Sequence, residues 1–168
     1  LTEAAASTWQ NVTGCQIQEA YGLTETSPAV SFNPYRDIRI GTIGKVVTGT
    51  QVKVISEDGT DLGFDEEGEL CVKGPQVMAG YWQRPEATAQ VLDADGWFKT
   101  GDVAILAEDG FIRLVDRIKD MINVSGFNVY PNEIDDIASQ HSGILECAAV
   151  GIPNSVSGET VKLFVVKS

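Results

Sequence analysis

Residues 20–28 read AYGLTETSP, a stretch that packing alone does not explain. It begins with Tyr21, turns at Gly22, and presents Thr24, Glu25, Thr26 and Ser27 before Pro28 forbids a helix. A hydroxyl, which donates and accepts, stands beside a carboxylate, which only accepts. In isolation such a run reads as an ordinary Ser/Thr turn after a strand. Three further charged positions invite the same question: Asp102 in TGD, and Arg117 and Lys119 in DRIKD. Each has a plain structural reading of its own, Asp102 as a turn or capping residue, Arg117 in a surface ion pair with Asp116, and Lys119 with Asp120 in a solvated linker.

Charge narrows the chemistry these residues could serve. Twelve basic against twenty-four acidic residues leave the 168-residue chain at −12. That is the wrong sign for binding nucleic acid or for a polybasic membrane anchor. The same field repels small anions, so a nucleotide site would need Mg²⁺ and locally placed Lys or Arg. Apolar residues make up 43%, and no run approaches the ~18 needed to cross a bilayer, so no transmembrane segment is expected. The opening LTEAAASTWQNV has no initiator Met, basic region or apolar core, so no targeting segment is expected there. Cys15, Cys71 and Cys147 are odd in number and widely spaced, and His141 is the one imidazole. Reduced, buried thiols are expected and a zinc site is not.

The elements that must position these groups fall into two styles. QVKVISEDGTDLG alternates Val52 and Val54 with polar neighbours and turns at Asp58-Gly59, and VAILAEDGFIRLVD does the same at Asp109-Gly110, so each predicts a β-hairpin. GELCVKG adds a strand and RPEATAQVL a short helix, giving a small, mainly antiparallel β structure over residues 40–116. Beyond DRIKD the order becomes β-α-β-β. Pro131 opens a helix carrying Ile134, Ile137 and Ala138 on one face and ending at Gly143, and ILECAAVGI and TVKLFVVK follow as strands. A boundary is expected at 117–120. Trp82, Trp97, Tyr81 and Phe98 read as core and packing residues, and His141 as a favourable contact at a helix C-terminus.

In series, YGLTE at 21–25, TGD at 100–102, DRIKDMI at 116–122 and GFNVYPNEI at 126–134 resemble the adenylate-forming superfamily of acyl-CoA synthetases, adenylation domains and luciferases. DGWFKTGDVAILAEDGFIRLVDRIK at 95–119 is similar to the signature of fatty-acyl-CoA synthetases, and GELCVKGPQVMAGYWQRPEAT to bacterial long-chain fatty-acid:CoA ligases. The resemblance covers nearly the whole chain from Cys15. It departs from the fatty-acid pattern at Lys99, Ala104, Leu106 and Glu108, where His, Gly, Trp and Pro are usual.

The resemblance implies a mixed α+β fold, with a small, mainly antiparallel barrel-like β subdomain followed by the start of a small α+β C-terminal domain. Residues 1–117 would be the C-terminal part of the large adenylating domain and 118–168 the first part of a small mobile one. It implies a fragment inactive alone, lacking the upstream phosphate loop and the late lysine. The activity implied is ATP-dependent activation of a long-chain fatty acid to an acyl-adenylate, then transfer to coenzyme A. The catalytic residues implied are Thr24, Glu25 and Lys119. Thr24 would reach a phosphate, Glu25 would hold Mg²⁺, Tyr21 would lie on adenine, and Gly22 would let the backbone pass close to the nucleotide. Asp102 would take the ribose hydroxyls, Arg117 ribose or phosphate oxygens, Lys119 would be the hinge, and Gly126 would keep the coenzyme A tunnel open. A cytoplasmic enzyme is implied, with peripheral association at the inner membrane and a homodimer left open. A medium-chain or aryl acid:CoA ligase, or a non-catalytic truncated interaction module, stay open as alternatives.

Overall fold

The computed structural model describes residues 1 and 3–168. The chain forms two compact units, Leu1–Thr100 with Ala104–Leu114, and Gly101–Val103 with Val115–Ser168.

The first unit opens with helix α1 (Glu3–Thr13). Strands β1 (Ala20–Gly22), β2 (Ala29–Phe32) and β3 (Lys45–Val46) then form an antiparallel sheet in that order. Buried Asn33 ties the loop after β2 together: its Nδ2 donates to the Thr42 carbonyl at 2.8 Å and its Oδ1 accepts from Arg39 N–H at 2.9 Å. A second sheet has the order β4-β5-β6-β7, from Gln51–Ile55, Glu67–Lys73, Phe98–Leu106 and Ile112–Arg117. Helix α2 (Pro85–Val91) lies between β5 and β6 in sequence, with proline in its first turn where a missing N–H costs nothing. The core is Val30, Ile43, Leu70, Val72, Ala104 and Ile112. Leu70, Cys71 and Val72 are consecutive and all buried, so the middle of β5 is covered on both faces.

Several expectations are corrected. The four-stranded sheet runs β4-β5-β6-β7 and does not close into a barrel among the described residues, while Ile112 of β7 exchanges backbone bonds with Ile43 and Gly44. Its Asp58-Gly59 turn forms, but the return arm is a single bridge, Ile55 to Asp61, and the partner of β4 is β5. Phe98 is buried, whereas Trp82 is 87% exposed; Trp97 is half-buried beneath the ammonium groups of Lys53 and Lys73. All three cysteines are free thiols, but Cys15 is exposed.

In the second unit, β8 (Ile122–Val124) and β9 (Phe127–Val129) make a hairpin whose turn residues Ser125 and Gly126 have φ of 56° and 87°. Two positive φ values are the demand of a type I′ turn, which glycine meets without strain. Helix α3 (Pro131–Ala138) follows, then β10 (Ile144–Asn154) and β11 (Gly158–Lys167), and the sheet order is β10-β11-β8-β9. Asp135 fastens α3 to β10 by accepting from Ala149 N–H at 2.7 Å. The helix ends at Ala138, five residues before Gly143, and Ile137 is 72% exposed instead of packed. The His141 imidazole accepts from Gly143 N–H through Nδ1 at 3.0 Å, so it closes the following turn rather than capping the helix.

Candidate functional site

The run AYGLTETSP divides its polar residues between two tasks. Thr24–Thr26 form a single 3₁₀ turn, and Ser27 leaves it in the left-handed conformation at φ 55°. Thr26 is fully buried and builds the turn. Its Oγ1 accepts from Leu23 N–H at 3.0 Å and donates to the Pro28 carbonyl at 2.7 Å. Thr24 is exposed and Glu25 half-buried, so the hydroxyl and carboxylate side by side are the pair presented outward. Gly22 has a reason within the chain itself: a Cβ there would collide with the Pro28 carbonyl, which receives the Leu23 N–H at 3.0 Å. Tyr21 is half-buried and packs beside the core cluster.

Glu25 is held at both ends by one loop of the same unit. Its carbonyl accepts from Met78 N–H at 2.7 Å, and its Oε1 accepts from the Tyr81 hydroxyl at 2.8 Å. The bond to the carboxylate raises the Tyr81 pKa above its ordinary value, so the phenol stays the donor. Tyr81 is fixed in turn, because its N–H donates to Thr88 Oγ1 at 2.9 Å and its carbonyl accepts from Arg84 N–H at 3.1 Å. In sequence Tyr81 reads as a packing residue. Its partner lies 56 residues away, and no spacing rule marks that contact. Among the described residues no three His, Cys, Asp or Glu side chains form a metal cage. A hard cation at Glu25 would therefore draw its other ligands from water and ligand oxygens, which suits Mg²⁺ on a nucleotide.

In the second unit Asp102 is buried and accepts an ion pair from Arg117 Nε at 3.3 Å. The Arg117 side chain is 59% exposed, so the pair is anchored on the carboxylate side and open on the other. Asp116 does not pair with Arg117 side chain to side chain. Its Oδ1 accepts from Arg117 N–H at 2.8 Å and its Oδ2 from Asn132 N–H at 3.1 Å. Asn132 follows Pro131 in the first turn of α3, where N–H groups lack partners and a negative charge is favourable. Asp116 is thus a cap supplied from β7. Lys119 is exposed in the 3₁₀ turn Ile118–Asp120. Gly126 is exposed, and a Cβ added there would meet nothing within 4 Å, so its backbone conformation rather than crowding calls for glycine.

A family model described as AMP-binding enzyme matches residues 1–82. The chain is 58% identical over 163 residues to the long-chain-fatty-acid–CoA ligase of Salmonella typhimurium, covering 96% of this chain and 29% of that protein. It is 54% identical over 166 residues to the protein of the same name from Escherichia coli O6:H1, with 98% and 29% covered. Among solved structures, ATP-bound MatB from Rhodopseudomonas palustris superposes with a TM-score of 0.92 at 36% identity, over 98% of this chain and 33% of that one. The chain therefore spans about three tenths of the length of the curated relatives it matches.

Proposed function

We propose that the chain belongs to the AMP-binding enzyme family, whose model matches residues 1–82, and that the protein it forms part of is an ATP-dependent long-chain fatty-acid:CoA ligase working in the cytoplasm. The observation that carries the reading is identity of 58% to a ligase of that name, over a stretch that takes in 96% of the chain. In the first half-reaction a carboxylate oxygen of the acid bonds to the α-phosphorus of ATP and pyrophosphate leaves. In the second, the coenzyme A thiolate bonds to the acyl carbon and AMP leaves. The acid is ionised at neutral pH, so the protein's task is placement and charge stabilisation rather than strong base catalysis.

In this reading the exposed Thr24 hydroxyl donates to phosphate, and Glu25 supplies an oxygen to Mg²⁺, which offsets phosphate charge when bound. Tyr21 lies against adenine. The Asp102 carboxylate accepts from the ribose hydroxyls while Arg117 offers its remaining donors to nucleotide oxygens. Lys119 is the pivot between half-reactions, and the Ser125-Gly126 turn meets the pantetheine arm. Residues 1–117 belong to the adenylating domain and 118–168 to the mobile one. The membrane relation is peripheral; among the described residues no helix is long and apolar enough to cross a bilayer.

The test is AMP release by the complete protein with ATP, coenzyme A and a ladder of acids. Acid-dependent AMP with a maximum at long chains supports the reading. A maximum at medium-chain or aryl acids moves the substrate class, and no acid-dependent release overturns the activity.

A further inference from the structure

We propose that Tyr81 is a positioning residue for Glu25: its hydroxyl occupies Oε1, which leaves Oε2 as the oxygen offered to the divalent cation that accompanies the nucleotide. The inference rests on the adenylating role read for Glu25 above.

The geometry is that of a two-point clamp. The loop that sends Met78 N–H to the Glu25 carbonyl at 2.7 Å fixes the backbone, and three residues on it sends the Tyr81 hydroxyl to Oε1 at 2.8 Å. A carboxylate on a single 3₁₀ turn, with three side-chain torsions and half-exposed, would otherwise sample many orientations. Mg²⁺ tolerates little departure from octahedral geometry, so an unanchored single carboxylate is a poor ligand for it. The clamp is itself braced. Thr88 Oγ1 accepts from Tyr81 N–H at 2.9 Å and donates to the Arg84 carbonyl at 2.9 Å, which links the phenol to the first turn of α2. A surface tyrosine serving only to cover apolar area would need none of this bracing and would not direct its hydroxyl to a carboxylate.

The experiment uses the complete protein with α,β-methylene-ATP, which binds without reacting, and Mn²⁺ followed by electron paramagnetic resonance. Tyr81→Phe removes one oxygen from a partly exposed side chain. It should weaken Mn²⁺ binding about tenfold, the scale on which groups that orient metal ligands act. In turnover, KM for the metal–nucleotide should rise by a similar factor while kcat at saturating metal changes less than about threefold. In a Glu25→Gln background the Phe substitution should add nothing further. Thr88→Val, which loosens Tyr81 but leaves its hydroxyl, should weaken Mn²⁺ binding in the same direction by a smaller factor, and it decides the matter if Tyr81→Phe does not fold. Unchanged Mn²⁺ affinity in the folded variants, or an equal loss with and without Glu25, overturns the role of Tyr81. If the wild-type protein itself binds no Mn²⁺ with the analogue, the adenylating role of Glu25 falls, and the inference with it.

Discussion

On the proposed function, Asp102 shows how a single carboxylate would be prepared for work. It is buried, yet its Arg117 partner reaches out to solvent, so the ion pair orients the acid without sealing it in the core. In that reading, Asp102→Ala in the complete protein should weaken ATP binding by about 2–4 kcal/mol, read by calorimetry, because the two charge-assisted hydroxyl contacts proposed for it would disappear. Unchanged affinity would reassign Asp102 to holding Arg117. Cys71 sits at the opposite extreme of reactivity. Burial pushes its thiol from 9.0 up to about 12. The folded chain therefore retains the proton where the unfolded chain has lost it, and this group's contribution to stability, intact below pH 9, is lost as pH rises from about 9 to about 12. At pH 8 iodoacetamide should modify exposed Cys15 and leave Cys71 intact until the fold is opened, as mass spectrometry of the peptides would show. Rapid native alkylation of Cys71 would contradict its burial. The two residues of the clamp are unequally legible in sequence. Glu25 stands out by its place in a polar turn, whereas Tyr81 in GYW looks like any packing aromatic, because its meaning lies in a partner reached only through tertiary structure.

At the level of elements, Asp-Gly turns and buried apolar runs announce themselves, and the departures share a cause in side-chain competition and tertiary pairing. The apolar spacing after Pro131 predicts a helix that runs to Gly143. Instead Ser139 Oγ and Gln140 Nε2 both donate to the Asp136 carbonyl, and such side-chain bonds compete with helix propagation. The arm after Asp58-Gly59 reads as the partner of β4, and it returns along one edge by a single bridge with Leu62 N–H on the Val54 carbonyl, but the longer run 67–73 supplies the full antiparallel register on the opposite edge. Asp116 looks like half of an ion pair with its neighbour, yet the start of α3 draws its carboxylate to Asn132. Tyr130, the residue in the capping position, contributes no side-chain cap, so Asp116 supplies the capping carboxylate at an end where Glu133 in the first turn adds a second negative charge. Asp116→Ala should destabilise the second unit by about 1–2 kcal/mol in urea unfolding. Asp116→Asn keeps an acceptor and should lose about half as much. Equal, negligible losses in both variants would show that the helix start needs no cap from β7.

For the whole molecule, the proposed function raises the question of how one protein would serve two half-reactions that need different surroundings for the same acyl group. On the proposed function the answer lies where β7 gives way to the turn Ile118–Asp120, with Lys119 as the residue whose backbone changes. That turn is 3₁₀, and its φ range includes the value near −65° that proline imposes. Lys119→Pro therefore holds residue 119 near the φ of that turn and denies it values far from about −65°. In the complete protein this variant should retain one half-reaction. Adenylate formation, measured as pyrophosphate release in a single turnover, should persist, while transfer to coenzyme A falls at least about a hundredfold, an effect of ~2.7 kcal/mol. Lys119→Ala separates charge from backbone. It removes the ammonium but leaves φ free, so a pivot predicts that transfer survives it, whereas a lysine acting through its charge predicts that transfer is lost in Ala and Pro alike. If both variants lose both steps equally, or neither loses transfer, residue 119 does not link the two half-reactions, and the sequence boundary at 117–120 marks only a change of fold style.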